Sequence, residues 1–195
     1  MISFRLGRTA VRIDFSFLAF NALVFLVRDG RSVLAFYTVC ALHEAGHLAV
    51  LTLTGGSAAS VCFTAAGIRI DTRKTGASPV LHDMAVLLAG PAVNAAVYAA
   101  MGIMGRGGEF AALNLMAAVY NMLPYRSLDG GALIALLTAG SSAEQAADII
   151  LAAVKLLMTA AAAWAVYIYG REALPLLIGG AALFIGDLRP RKKSP

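Results

Sequence analysis

The architecture this sequence predicts is an all-α polytopic membrane protein. It would have about six transmembrane helices, with a small β-hairpin or re-entrant segment between the second and third. Three observations predict it. Of 195 residues, 59% are hydrophobic and 14% charged, and the mean hydropathy is +0.77, which leaves too little polar surface to clothe a soluble domain of this size. The apolar residues gather in runs near the length needed to cross or enter roughly 30 Å of hydrocarbon. The basic residues, in a chain of net charge +5, sit in short clusters between those runs, where they set topology and imply no nucleic-acid partner.

The first run, Val11 to Val27, follows Arg5, Arg8 and Arg12. It opens like a signal peptide, but no small-residue cleavage site follows, so it reads as a retained first span. Val33 to Thr54 and Val80 to Met104 are the second and third. Between them Gly55 to Pro79 is too polar and glycine-rich to span, and Ser60 to Asp71 carries β-branched and aromatic residues around Ala65, Ala66 and Gly67. That pattern gives two short strands and a turn, or else a plain cytoplasmic loop. An open hairpin edge there would accept an extended peptide as a further strand. Phe110 to Leu123 is a short fourth run, and Leu128 to Leu137 resumes it after an interruption at Pro124 to Ser127, as in broken helices that line cavities. Ala146 to Tyr169 and Ala173 to Ile185 are the fifth and sixth. Residues 1–188 thus form a single transmembrane domain, and 189–195 a basic cytoplasmic tail.

An inside N-terminus puts Arg5, Arg8, Arg12, Arg69, Arg73, Lys74, Arg126, Arg189, Arg191, Lys192 and Lys193 in the cytoplasm and only Arg28, Arg31, Arg106 and Arg171 outside. Lys155 would snorkel from the fifth span. The asymmetry places both termini inside a multi-pass membrane protein. Trp164, Tyr167 and Tyr169 read as an outer interfacial belt. Cys40 and Cys62 show no paired spacing and no disulfide framework.

Within the second run, charge is absent except at His43-Glu44-Ala45-Gly46-His47. Histidines at i and i+4 share a helix face, so two imidazoles can converge on one zinc ion, with Glu44 beside them as general base. Ionisable residues in hydrocarbon are costly, and a divalent metal is the partner that accounts for them here. A third ligand must come from elsewhere, because the chain has three histidines and His82, beside Asp83, opens the third span as an interfacial pair. Candidate carboxylates are Glu109, Asp129, Glu144, Asp148, Asp83 and Asp187. Asp129 stands out, because it follows a proline-broken helix and precedes Gly130 and Gly131, which permit close backbone approach. It would serve equally as a helix N-cap.

Three segments together carry a family resemblance: the His-Glu-x-x-His of the second span, Ala89-Gly90-Pro91-Ala92-Val93-Asn94 in the third, and Asn121 to Gly131 with its Leu-Asp-Gly-Gly ending. In that order they resemble the site-2 protease family of intramembrane zinc metalloproteases. The absence of an inserted PDZ domain resembles the bacterial branch that includes the sporulation protease acting on pro-sigma-K, here expected to lack that branch's CBS domain. The resemblance implies an intramembrane zinc metalloendopeptidase in a bacterial cell membrane, with His43, His47 and Asp129 as ligands of Zn2+ and Glu44 as general base. It implies a membrane-tethered protein substrate such as a pro-sigma or anti-sigma factor, and a regulatory membrane protein as a further partner beside the lipid bilayer. Asn94 and Asn121 are candidates for positioning an extended substrate, or for bonding between helices. Two other classes fit the ligands less well. A metal transporter or other metal-binding membrane protein would distribute ligands along a pathway, and an inactive protease-like scaffold would have no need of Glu44.

Overall fold

The computed structural model describes residues 2–170, apart from residues 8, 16, 20–21, 23–28, 65–66, 74–78 and 127. The chain forms two compact units, Met1–Tyr120 and Asn121–Pro195.

The first unit opens with strands β1 (Ile2–Leu6) and β2 (Thr9–Ile13), paired antiparallel from Ile2 opposite Ile13 to Leu6 opposite Thr9. Gly7, at φ +61°, makes their turn. Helix α1 (Gly30–Leu53) follows, with Asp29 as its N-cap accepting a 2.8 Å hydrogen bond from the Ser32 backbone N–H. Strands β3 (Ser57–Thr64) and β4 (Gly67–Arg73) come next, then helices α2 (Val80–Ile103) and α3 (Glu109–Asn121), whose last residue opens the second unit. The four strands form one sheet in the order β1-β2-β3-β4, with β2 and β3 parallel and the other pairs antiparallel. Parallel neighbours need a crossover connection, and α1 lies within it. Phe17 ties the sheet to that helix, its ring meeting Phe63 at 5.4 Å and Tyr37 at 6.1 Å, both edge-on.

The second unit contains α4 (Asp129–Thr138) and α5 (Glu144–Tyr169), which pack together. A Cβ at Gly130 or Gly131 would overlap the backbone of Met122 or Tyr125, so these two residues lie directly on the first turn of α4. Tyr125 is buried, and Lys155 Nζ sits 5.7 Å from the centre of its ring. Arg126 pairs with Asp148.

Among the described residues, α1, α2 and α5 are long and apolar enough to cross a membrane. At 24, 24 and 26 residues they reach about 36 Å or more at 1.5 Å per residue. Only 22%, 22% and 11% of their most apolar windows are buried, so apolar side chains such as Leu34, Ile103 and Leu157 face outward. That is the surface of a membrane protein.

These helices match the second, third and fifth runs. The hairpin between the second and third spans is present as β3 and β4, in a sheet larger than the sequence reading foresaw. The first run is corrected at its start. Val11 to Ile13 lies in β2, hydrogen-bonded on both sides, and the rest of that run falls largely outside the described residues. Helix α3 has 13 residues, about 20 Å at 1.5 Å per residue and short of a full crossing. The sixth run and the basic tail lie outside the described residues. Lys155, expected to snorkel, is 8% exposed, with its Nζ 5.7 Å from the centre of the Tyr125 ring.

Candidate metal centre

Helix α1 turns Val33, Val39, His43, Gly46 and Leu51 inward, and α2 answers with Gly90, Pro91 and Asn94. The two helices meet closely because two glycines face the contact. A Cβ at Gly46 would lie 2.7 Å from the Ala89 carbonyl oxygen, and one at Gly90 would overlap His47 Nε2 and come within 2.8 Å of His43 Cε1. Gly90 is therefore the floor on which both imidazoles rest. The rings stand at 84° to each other with centroids 4.7 Å apart.

Each imidazole is held from behind through Nδ1. His47 Nδ1 lies 2.7 Å from the Val86 carbonyl oxygen. A carbonyl only accepts, so His47 Nδ1 carries the proton, and in the neutral ring Nε2 is the acceptor nitrogen. His43 Nδ1 lies 2.8 Å from Asn94 Oδ1. The orientation of that amide is fixed by the bonds it makes elsewhere: Asn94 Nδ2 donates to the Val39 carbonyl at 3.3 Å and to Asn114 Oδ1 at 2.9 Å. Asn114 is oriented in turn by its Nδ2, which donates to the Phe110 carbonyl at 2.8 Å. Because the series ends on an obligate acceptor, every member's direction follows, and His43 Nδ1 donates as well.

With both rings neutral, their two acceptor nitrogens face each other, His43 Nε2 and His47 Nε2 being 3.1 Å apart. Such an arrangement favours a cation between them. Tetrahedral zinc with Zn–N bonds near 2.0–2.1 Å would set two nitrogens about 3.3 Å apart, so the donors and their spacing fit that ion. Histidine ligands held through the other ring nitrogen are the usual supporting pattern of metal sites. His43 is buried, and Glu44 and His47 are half-buried.

Asp129 belongs to the second unit. It is the first residue of α4, the N-cap being Leu128 with no side-chain capping bond, so the capping role weighed from sequence is not the one it has. A carboxylate in the first turn is favoured by the helix dipole. Asn94 is fully buried with its amide committed to His43, Val39 and Asn114, which leaves it no donor for a substrate. Asn121 is half-buried. Asn114, equally buried, escaped the sequence reading. Its signal was a lone amide in the apolar run Phe110 to Leu123, on the stripe Ala111, Asn114, Ala118 that α3 buries.

No family model matches the sequence, and no curated protein matches it. The structure is similar to that of the site-2 protease from Methanocaldococcus jannaschii, with a TM-score of 0.63 and 17% sequence identity over 100% of this chain and 98% of that one. The resemblance carried by the three motifs is thus borne out at the level of the fold.

Proposed function

We propose that the chain is an intramembrane zinc metalloendopeptidase of the site-2 protease type, hydrolysing a peptide bond in or near a transmembrane segment of a membrane-tethered substrate. The observation that carries this reading is the pair of imidazole Nε2 atoms 3.1 Å apart, with Glu44 between the two histidines in sequence and the pair set in a membrane protein with a site-2 protease fold. Asp129 is the third ligand in this reading. Two imidazoles with one carboxylate suit Zn2+ in a site that keeps one position open.

Zinc bound there supplies a Lewis acid that polarises the scissile carbonyl and acidifies water. Glu44 accepts a proton from the attacking water as oxygen bonds to the carbonyl carbon. It returns that proton to the departing nitrogen as the C–N bond breaks. His43 and His47 keep their Nδ1 protons throughout, held by Asn94 and Val86. Asn121 is the asparagine we retain for positioning the substrate. The partners are the lipid bilayer, the tethered substrate and a regulatory membrane protein, in a bacterial cell membrane with both termini cytoplasmic.

Glu44→Gln tests the reading. The amide cannot take the proton but leaves the ligands in place, so zinc content in detergent stays near one per chain while cleavage of a model transmembrane substrate falls by about 100-fold or more. Near-normal turnover by the variant would sink the mechanism.

A further inference from the structure

We propose that Asn114 is a positioning residue for the metal centre: through Asn94 it locks His43 in the tautomer whose Nε2 can bind a metal. The proposal rests on the metal reading above and adds to it a residue that touches neither metal nor substrate.

Asn94 can sit in its pocket two ways round. In the observed sense its oxygen faces His43 Nδ1 at 2.8 Å and its nitrogen faces Val39 O and Asn114 Oδ1. In the reverse sense the NH2 group faces His43 Nδ1, which must then accept, and the ring proton moves to Nε2, the atom opposite His47 Nε2. A protonated Nε2 cannot ligate. The choice is therefore between a ring that can bind metal and one that cannot, and it depends on what the far side of Asn94 demands.

Two acceptors make that demand. The Val39 carbonyl is the weaker, at 3.3 Å against 2.9 Å for Asn114 Oδ1. Asn114 presents its oxygen because its own NH2 is spent on the Phe110 carbonyl at 2.8 Å, one turn back in α3. Both amides have zero solvent exposure, so no water replaces a lost partner, and an unsatisfied buried N–H is costly. Replacing Asn114 with an apolar residue strands one N–H of Asn94. The reverse orientation then loses much of its disadvantage.

The test uses the full-length protein, metal-free and zinc-loaded, in detergent. Only three histidines are present, so 15N-histidine spectra of the metal-free chain resolve each ring, with His82→Gln and His47→Gln assigning the signals. In the wild type His43 should carry its proton on Nδ1. In Asn114→Leu the Nε2–H tautomer should gain population, and zinc affinity, measured by chelator competition, should fall about 10- to 100-fold, as for other residues that orient ligands from behind. In an Asn94→Ala background Asn114→Leu should change affinity by less than about 2-fold, because a residue acting only through Asn94 has nothing left to act on. Should Asn114→Leu not fold, Asn114→Ala removes the same acceptor without adding bulk.

A wild-type His43 protonated on Nε2 overturns the proposal, whatever the variants do. So does an unchanged tautomer or unchanged zinc affinity on loss of the Asn114 amide, or a full further loss in the Asn94→Ala background. If the wild type binds no zinc in a His43-dependent way, the metalloprotease reading fails, while the tautomer spectra still decide whether Asn114 sets the ring.

Discussion

A methyl group at position 90 would overlap His47 Nε2 and press on His43 Cε1, so Gly90→Ala isolates the cradle from the ligands themselves. The change adds one methyl to a packed site, at a cost of roughly 1–3 kcal/mol, and the rings are the movable neighbours. We expect zinc affinity to drop by about tenfold or more with helicity by circular dichroism unchanged. Unaltered affinity would show that the rings do not rest on Gly90. The histidine pair itself was legible because its spacing is local, with i and i+4 meeting on any helix. Its supports were not. The His43 to Asn94 bond joins residues 51 apart and the His47 to Val86 bond residues 39 apart, and which amide atom faces which partner is decided only when three helices are in place.

The residues from Met122 to Arg126 and the start of α4 form the element that carries Asp129, and it is held by packing. Gly131 meets the Tyr125 carbonyl with no room for a Cβ, the Leu128 N–H donates to that same carbonyl at 2.8 Å, and Lys155 caps the Tyr125 ring. A buried cation over a ring contributes about 2 kcal/mol when desolvated. Gly131→Ala should therefore lower the thermal midpoint in detergent, by about 1–3 kcal/mol of stability, and reduce zinc occupancy along with it, because the displaced turn begins with Asp129. Full occupancy in a destabilised variant would separate the turn from the metal and count against Asp129 as a ligand. The proline break and the two glycines made this element readable. The N-terminal hairpin was overlooked although Ile2, Phe4, Leu6, Val11 and Ile13 alternate with Ser3, Arg5 and Arg12 around Gly7, a period of two that the following apolar run obscured. Its third partner, β3, arrives only after α1, and non-local pairing leaves no local mark.

Across the membrane, the sheet constrains what the charges only suggest. Strands β1 to β4 form one sheet, so the positions of Arg5, Arg12, Arg69 and Arg73 within them share one side of the bilayer. Four arginines on one side favour the cytoplasm. His47 lies six residues before Leu53, the last residue of α1, or about 9 Å from the end that leads into the sheet, so the metal centre would sit in the cytoplasmic half and a cleaved substrate would release its product inward. The chain's two cysteines can test the orientation. Cys62 pairs in register with Arg12 and Arg69 in the sheet, while Cys40 lies within α1. In a Cys40→Ala variant, a membrane-impermeant maleimide should label Cys62 in inverted vesicles and leave it unlabelled in right-side-out vesicles until detergent is added. The opposite pattern would turn the topology over and move both the site and the expected cut to the outer half.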